Sequence, residues 1–546
     1  MTLARFVFAL ILGTVALSPR APAADDCRID AAEFVDPALP DCGLQRAIDK
    51  AAEHRGGEVL LPAGTFRLRR GLILRDNVRL IGAGIDKTIL MPARMVQRLD
   101  VAADGPDGNV VRLDEIPRQL QCGSAVVACR RYPPAWYGDP RPAVVTSIDR
   151  RAGSVALEAP YGLKEMKAGE GLLTFGVAAA LERSIRKGDR EIHLRSAALF
   201  RPGDELALGG PPNQSLLGQL FVKEVRGNVL LLEEPAQIDF EGWLPDEKSD
   251  EKTGEKIGNT KVNALVWALF PMLHATGVKD CFVSDLTVRG HDMQQVRPMQ
   301  TRYTLAGIHI YDGRRIVLQR VAVRQWPSDG ISLQAGHHAI VTECIVEDCL
   351  RNGLHPGSGL TDSSFRNNRV TGNDVGLYFC WHNRRHVVRD NQFLNNRQGG
   401  ITGLGNPGDR NNVIECNRIA QNGGPGIAIN GGEASGNVIR DNVIEDNSQS
   451  EPGKHPGVAI YAALEDARQY TLVGNTIRDT QAEPTQWVGI EERAGAYRGQ
   501  PTVADGNVIR NNVAVGHKVA DVIVTGSSTR CEANDGAKVV FRDGQR

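Results

Sequence analysis

One run of the chain sets a thiol, an indole, two imidazoles and two guanidinium groups side by side: Cys380-Trp381-His382-Asn383-Arg384-Arg385-His386. It follows the tetrapeptide Gly376-Leu377-Tyr378-Phe379, whose pattern recurs upstream as Gly307-Ile308-His309-Ile310, Gly330-Ile331-Ser332-Leu333 and Gly353-Leu354-His355-Pro356, and downstream as Gly400-Ile401-Thr402. Alternate residues of a strand point to opposite faces. With the aliphatic positions turned inward, His309, Ser332, His355, Tyr378 and Thr402 turn outward and stack at about 4.8 Å per coil. His355 and Tyr378 then become direct neighbours, and His309 lies two coils from His355. Aligned coils also set Arg384 and Arg385 over the turn of His337 and His338, and those over Arg314 and Arg315, with Thr361 and Asp362 interrupting the column. A base, an acid, cations and a stacking ring suit proton abstraction beside a carboxylate, where a cation makes the carbon acid more acidic.

The elements that must hold such a column are short strands in stacked coils. The first four glycines of the series are spaced 23 residues apart, a solenoid period. Asn368, Asn391, Asn417, Asn442, Asn475 and Asn512 form a second register, with Cys344 in the equivalent place one coil earlier. Their amides can hydrogen-bond along the axis and satisfy the turns. The chain has 546 residues, 59 of them glycine, and only 5% aromatics. That length exceeds one ordinary compact domain, but coils that pack only on their neighbours escape the limit. Residues 43–56 carry Leu44, Ala47, Ile48, Ala51 and Ala52 at helical spacing, which predicts a helix covering the first coil. Residues 92–265 break the rhythm, and Val144–Pro160 resembles Phe221–Pro235, which predicts an inserted β-rich subdomain of two related halves. Asp246–Lys261 reads as an exposed charged loop.

The asparagine and glycine registers resemble those of the pectate-lyase-like parallel β-helix superfamily, over most of residues 43–90 and 274–525. The resemblance implies an all-β fold, a right-handed parallel β-helix (solenoid) with an N-terminal capping helix and the insertion. The expected organisation is 1–23 signal peptide, 24–91 cap and first strands, 92–265 insertion, 266–525 β-helix repeats and 526–546 tail. By residue type the site resembles that of mannuronan C5-epimerases and related β-helix lyases, which pair His and Tyr with a basic residue. It implies His355 and Tyr378 as base and acid, in either order, and Arg384 as the neutralising cation. His309, Ser332, Trp381, His382, Arg385 and Asp329 are the expected substrate contacts, and an anionic polysaccharide the expected partner. Two other readings stay open. Pro327-Ser328-Asp329-Gly330 resembles a stretch of polygalacturonases, which are inverting hydrolases, but the paired aspartates and Gly-His-Gly of that family are missing. Asp329 has core parity and can simply cap a turn over Asn352. The third reading is a non-catalytic carbohydrate-binding or periplasmic maturation protein.

Arg5, the apolar stretch Phe6–Leu17 and Ala21-Pro22-Ala23 read as a secretory signal, which predicts a periplasmic or extracellular protein. No segment has the apolar length of a membrane span. A formal net charge of −1 gives no global field to recruit nucleic acid or membranes. Of the 10 cysteines, Cys27 with Cys42 and Cys122 with Cys129 are the local disulfide candidates. Zinc is disfavoured by irregular spacing without a C-x-x-C pair. His382 and His386 share a face only in a helix. No cofactor is assigned, and calcium is left open.

Overall fold

A computed structural model describes residues 27–541, apart from 94–96, 104–109, 119, 130–139, 159–170, 211–213, 242, 250–255, 264, 269, 291–302, 433–434 and 536–537. The signal-peptide expectation lies outside the described residues, as does the side chain of Cys129. Two parallel sheets run the length of the molecule. A long sheet of 22 strands supplies two strands to most coils, and a 12-stranded sheet supplies one. The 12-stranded sheet includes Leu273–Thr276, Ile308–Tyr311, Ile331–Gln334, Asn352–Pro356, Val375–Tyr378 and Gly399–Leu404 as consecutive neighbours. The chain is an all-β, parallel β-helix.

The coil corners explain the sequence registers. Between paired strands the chain turns through one left-handed residue, followed by an inward polar one. Asn367, Asp390, Cys416, Asp441 and Asn511 have φ of 53–56° or close to it (55°, 55°, 54°, 55° and 54°), a conformation that asparagine and aspartate tolerate better than most residues. The next residue's amide then reaches along the axis. The Asn368, Asn391, Asn417, Asn442 and Asn475 side chains each donate to the following ladder member's carbonyl oxygen at 2.9 Å, ending on Asn512. Cys344 takes the ladder position before Asn368, and its backbone N–H donates to the Asn368 side chain. Two more corners have the same device: Asn373, Asn396, Asn422 and Asn447 form one ladder, and His386, Asn412 and Asn437 another. The glycine register has a different cause. A Cβ on Gly353 would stand 2.4 Å from Val370 Cγ1 and 2.9 Å from the Gly376 carbonyl oxygen, so only glycine lets the coil close there.

A helix, Leu44–Glu53, buries Leu44, Ala47, Ile48 and Ala51 in the same core as the first coils. Strands from Gln97 to Trp267 form a separate 11-stranded antiparallel sheet with cores of their own. The two similar segments are both hairpins, Pro140–Asp149 with Ser154–Glu158 and Gln214–Arg226 with Val229–Leu232. Two expectations need correction. Asp246–Lys261 is not a loop: Trp243–Ser249 pairs antiparallel with Lys256–Asn263 as a two-stranded ribbon. Charge predicts exposure, but backbone pairing in a ribbon needs no apolar face. Beyond 526 the chain is not a plain tail, because Arg530–Glu532 and Val539–Phe541 add a strand to each main sheet. The last coil carries neither the glycine marker nor the 23-residue spacing, since Val522 pairs with Val539.

Candidate functional site

The 12-stranded sheet aligns one column of polar side chains. His274 pairs in register with His309, His309 with Ser332, Ser332 with His355, and Tyr378 with Thr402. His274, which the repeat pattern did not flag, extends the column by one coil. The column points away from the coil interior, yet it is not solvated. His309, Ser332 and His355 are buried at 6%, 0% and 3% exposure, while Tyr378 is half-buried. Strand parity fixes which face a side chain takes but says nothing of what lies over that face. Here Tyr303, on the short 3-10 segment Tyr303–Leu305, brings its ring to 6.2 Å from that of His309 and 5.8 Å from that of His355. The insertion covers the other end, with Glu205 Oε1 3.4 Å from His274 Nε2.

His355 is the best-anchored member. Its Nδ1 lies 2.6 Å from Asp329 Oδ2. Asp329 is fully buried, accepts the Asn352 side-chain amide at 3.0 Å and backbone N–H at 3.1 Å, and has Arg351 at 3.8 Å. Burial acts to raise the Asp329 pKa, but Arg351, His355 and Asn352 together hold it below the ordinary carboxylate value. Burial acts to lower that of His355, and the Asp329 carboxylate outweighs it, pushing the imidazole up to about 9. Near neutral pH His355 is therefore an imidazolium locked to a carboxylate. Its Nε2 has no hydrogen-bond partner among the described residues. The Tyr378 ring meets it edge-on at 5.4 Å. His309 behaves oppositely: burial, with His274 beside it, drops its pKa to about 4, so it is neutral.

Asp329 was expected as a substrate contact, or else as a turn cap over Asn352; it makes the cap contact and, fully buried, also orients His355. Parity counted along the strand missed this because Asp329 precedes the strand Ile331–Gln334, at the corner where alternation does not apply. Arg351 and Tyr303 were missed too. Tyr303 belongs to no repeat, and Arg351 resembles any other turn arginine. Ser332 accepts the Gln334 side-chain amide at 2.8 Å, so it backs the column rather than lining an opening.

The turn cluster is sorted by the fold. Lys279, Arg314, His337, Thr361, Arg384 and Arg410 are bridged in series, so the turns stack as aligned. Arg384 is half-buried and donates Nε–H to the Gly408 carbonyl at 3.2 Å. The exposed Arg385 fork grips Asp362 at 2.5 and 2.7 Å. Trp381 is 52% exposed and His382 is exposed. His386 is buried within a ladder, against Asn383 at 2.9 Å, and burial lowers its pKa to about 4. His382 and His386 therefore share no metal site, and no group of three or more His, Cys, Asp or Glu among the described residues could hold a metal ion. Cys27, Cys42 and Cys122 are free thiols, so the Cys27–Cys42 disulfide is not formed. Cys42 Sγ is directed instead to the Arg67 carbonyl at 3.6 Å. No described helix is long and apolar enough to cross a membrane.

A family model described as right handed beta helix region matches residues 306–477. That match, over less than half of the chain, agrees with the parallel β-helix fold that the sheet topology shows. No curated protein sequence matches it. Similar solved structures include the A-module of mannuronan C-5 epimerase AlgE4 of Azotobacter vinelandii, at 15% identity and TM-score 0.48, covering 92% of this chain and 100% of that one. The AlgE6 A-module of the same organism gives 13% and 0.47, covering 95% and 100%. An exopolygalacturonase from Thermotoga maritima gives 12% and 0.45, covering 96% and 94%. One fold hosts many chemistries, so the site must carry the argument about activity.

Proposed function

We propose that the protein is an exported enzyme acting on an anionic polysaccharide, by β-elimination or C5-epimerisation at a uronate. The observation that carries this reading is the Asp329–His355 pair, whose imidazole ring meets the Tyr378 ring edge-on at 5.4 Å. Because His355 is protonated near neutral pH, it takes the acid role and Tyr378 the base. Tyr378, as its phenolate, takes the C5 proton and becomes the neutral phenol, while His355 gives its Nε2 proton to the leaving oxygen, or to the opposite sugar face in epimerisation, and becomes neutral. Arg384 neutralises the carboxylate, Trp381 stacks on a sugar ring, and Arg351 tunes the dyad through Asp329. His382 and Arg385 line the approach. Asp329 is a positioning residue, since its oxygens are engaged by His355 and Asn352.

The test is incubation of the purified protein with a panel of uronate and neutral polysaccharides. Ultraviolet absorbance from an unsaturated uronate reports elimination, and NMR of the sugar protons reports epimerisation. Reducing ends without that absorbance would replace the proposal with hydrolysis. Binding without any turnover would replace it with a carbohydrate-binding role.

A further inference from the structure

Four coils beyond Tyr378, the outward column of the 12-stranded sheet carries a second group of polar and aromatic side chains, which the acid–base reading does not use. The column runs from Tyr378 to Thr402, then through Ala428 and Ala459 to Glu491. No side chain larger than threonine stands in it between the two groups. At about 4.8 Å per coil they lie about 19 Å apart along one face. Glu491 and its neighbour Glu492 are both buried, but they are held differently. Glu492 has core parity and anchors the coil. Its carboxylate accepts the Asn507 side-chain amide at 2.8 Å, the Thr529 hydroxyl at 2.7 Å and the backbone N–H groups of Thr525 and Gly526 at 3.0 and 2.7 Å. Glu491 is held by aromatic side chains instead. Its Oε2 accepts the Tyr461 hydroxyl at 2.6 Å and the Trp487 indole N–H at 3.4 Å, and its Oε1 has no hydrogen-bond partner among the described residues. The Arg493 guanidinium lies 3.8 Å from the centre of the Tyr461 ring. Two other exposed arginines grip a carboxylate one coil away, Arg315 on Asp280 and Arg385 on Asp362. Arg493 is exposed and has no carboxylate within ion-pair distance among the described residues. Directly after it the chain leaves the coil as an antiparallel ribbon, Gly495–Tyr497 with Gln500–Thr502, so the group stands where the repeat is interrupted.

We propose, resting on the uronate reading above, that Tyr461, Trp487, Glu491 and Arg493 form a distal subsite for a uronate residue, several sugars along the chain from the residue that reacts at His355 and Tyr378. Arg493 directs its N–H groups to the sugar carboxylate, since a guanidinium fork matches a planar anion. Glu491 Oε1 accepts a sugar hydroxyl, and the half-buried Trp487 ring covers the apolar face of the pyranose. Tyr461 holds the Glu491 carboxylate and the Arg493 guanidinium in place. The small side chains of Thr402, Ala428 and Ala459 let one chain lie along the sheet from one group to the other. A chain that reaches both groups gains the second contact intramolecularly. A disaccharide does not span about 19 Å, and a neutral chain lacks the carboxylate that Arg493 recognises. The protein therefore selects long uronate chains over short ones.

The experiment is calorimetric titration of the full-length protein with oligomannuronate and oligogalacturonate, each as the disaccharide and as a ten-residue chain, with neutral xylo-oligosaccharides of the same lengths as controls. For at least one uronate the long chain should bind about 10²-fold more tightly than the disaccharide, beyond what its extra registers alone supply. Arg493→Gln should lower that ratio about tenfold, the loss of one charge-assisted contact. Trp487→Ala, which removes the ring and keeps the guanidinium, should lower it by less and serves if Arg493→Gln does not fold. A merely structural role would shift the urea midpoint and weaken both lengths together, with the ratio unchanged. That result overturns the subsite, as does a wild-type ratio no larger than the number of registers on the longer chain. Long neutral chains bound as tightly as long uronates overturn the role of Arg493 and with it the subsite. If no uronate binds at either length, the uronate reading itself falls, and the subsite falls with it.

Discussion

Of the columns of buried polar side chains along this solenoid, the Asn368–Asn512 ladder and the histidine column treat their hydrogen-bonding atoms differently. In the long sheet's corner, Asn391 is saturated. It accepts from the Asn368 backbone and side chain and donates to the Phe365 carbonyl and to Asn417, all at 2.9 Å. In the 12-stranded sheet, His309 Nδ1, His355 Nε2 and Thr402 Oγ1 are buried with no hydrogen-bond partner among the described residues. An unpaired buried polar atom costs stability. The asparagine column repays its burial locally and needs nothing further, which is what a structural ladder requires. The histidine column leaves its atoms unspent on one face, and such a departure from local satisfaction is characteristic of a working site.

Substitutions can break this contrast. The largest effect should come from His355→Gln, which should lower turnover on the true uronate substrate by about 10²–10⁴-fold with little change in substrate binding; steady-state kinetics would show it, and full activity would remove His355 from the site. Tyr378→Phe should follow with a loss of about 10²-fold at the low end of that range, again in kcat rather than KM. Asn391→Ala should leave the chemistry alone and cost about 1–3 kcal/mol of stability, because the Asn368 groups lose their acceptor and the Phe365 carbonyl its donor; urea denaturation measures it.

The two histidines of the site should also part company with pH. The folded pKa of His355, about 9, lies above the ordinary value of about 6.5. Its stabilising contribution is therefore full below about pH 6.5 and is lost as pH rises through about 9. His309, lowered to about 4, is neutral when folded, so its contribution is present above the ordinary value and is lost as pH falls from about 6.5 through about 4. Denaturation midpoints across pH should fall on both sides, and His355→Gln should flatten only the alkaline side. The smallest effect belongs to Arg385→Gln. The Asp362 pair it breaks is exposed on the arginine side, and such solvent-screened pairs add little to stability. A larger loss of stability would mean that the turn column carries load. A loss of uronate binding without a larger loss of stability is the outcome expected of a residue that lines the approach, and unchanged binding would remove Arg385 from it.

The sequence by itself determined the coil. The glycine at 353 is forced by Val370 and Gly376, and the asparagine at 391 by its neighbours one coil away; contacts that recur at a fixed spacing leave a periodic trace in the chain. The same periodicity put His355 beside Tyr378 and stacked Arg384 over Thr361 and His337. What covers that column could be decided only in three dimensions. Tyr303 and Glu205 reach it from a short 3-10 segment and from the antiparallel insertion, neither of which shares the repeat. Corner geometry, which strand alternation cannot follow, turned Asp329 from an expected cap into the anchor of an imidazolium. Burial and that one carboxylate act on His355 in opposite directions, and the balance between them depends on distances of a few ångströms between residues 26 positions apart in the chain.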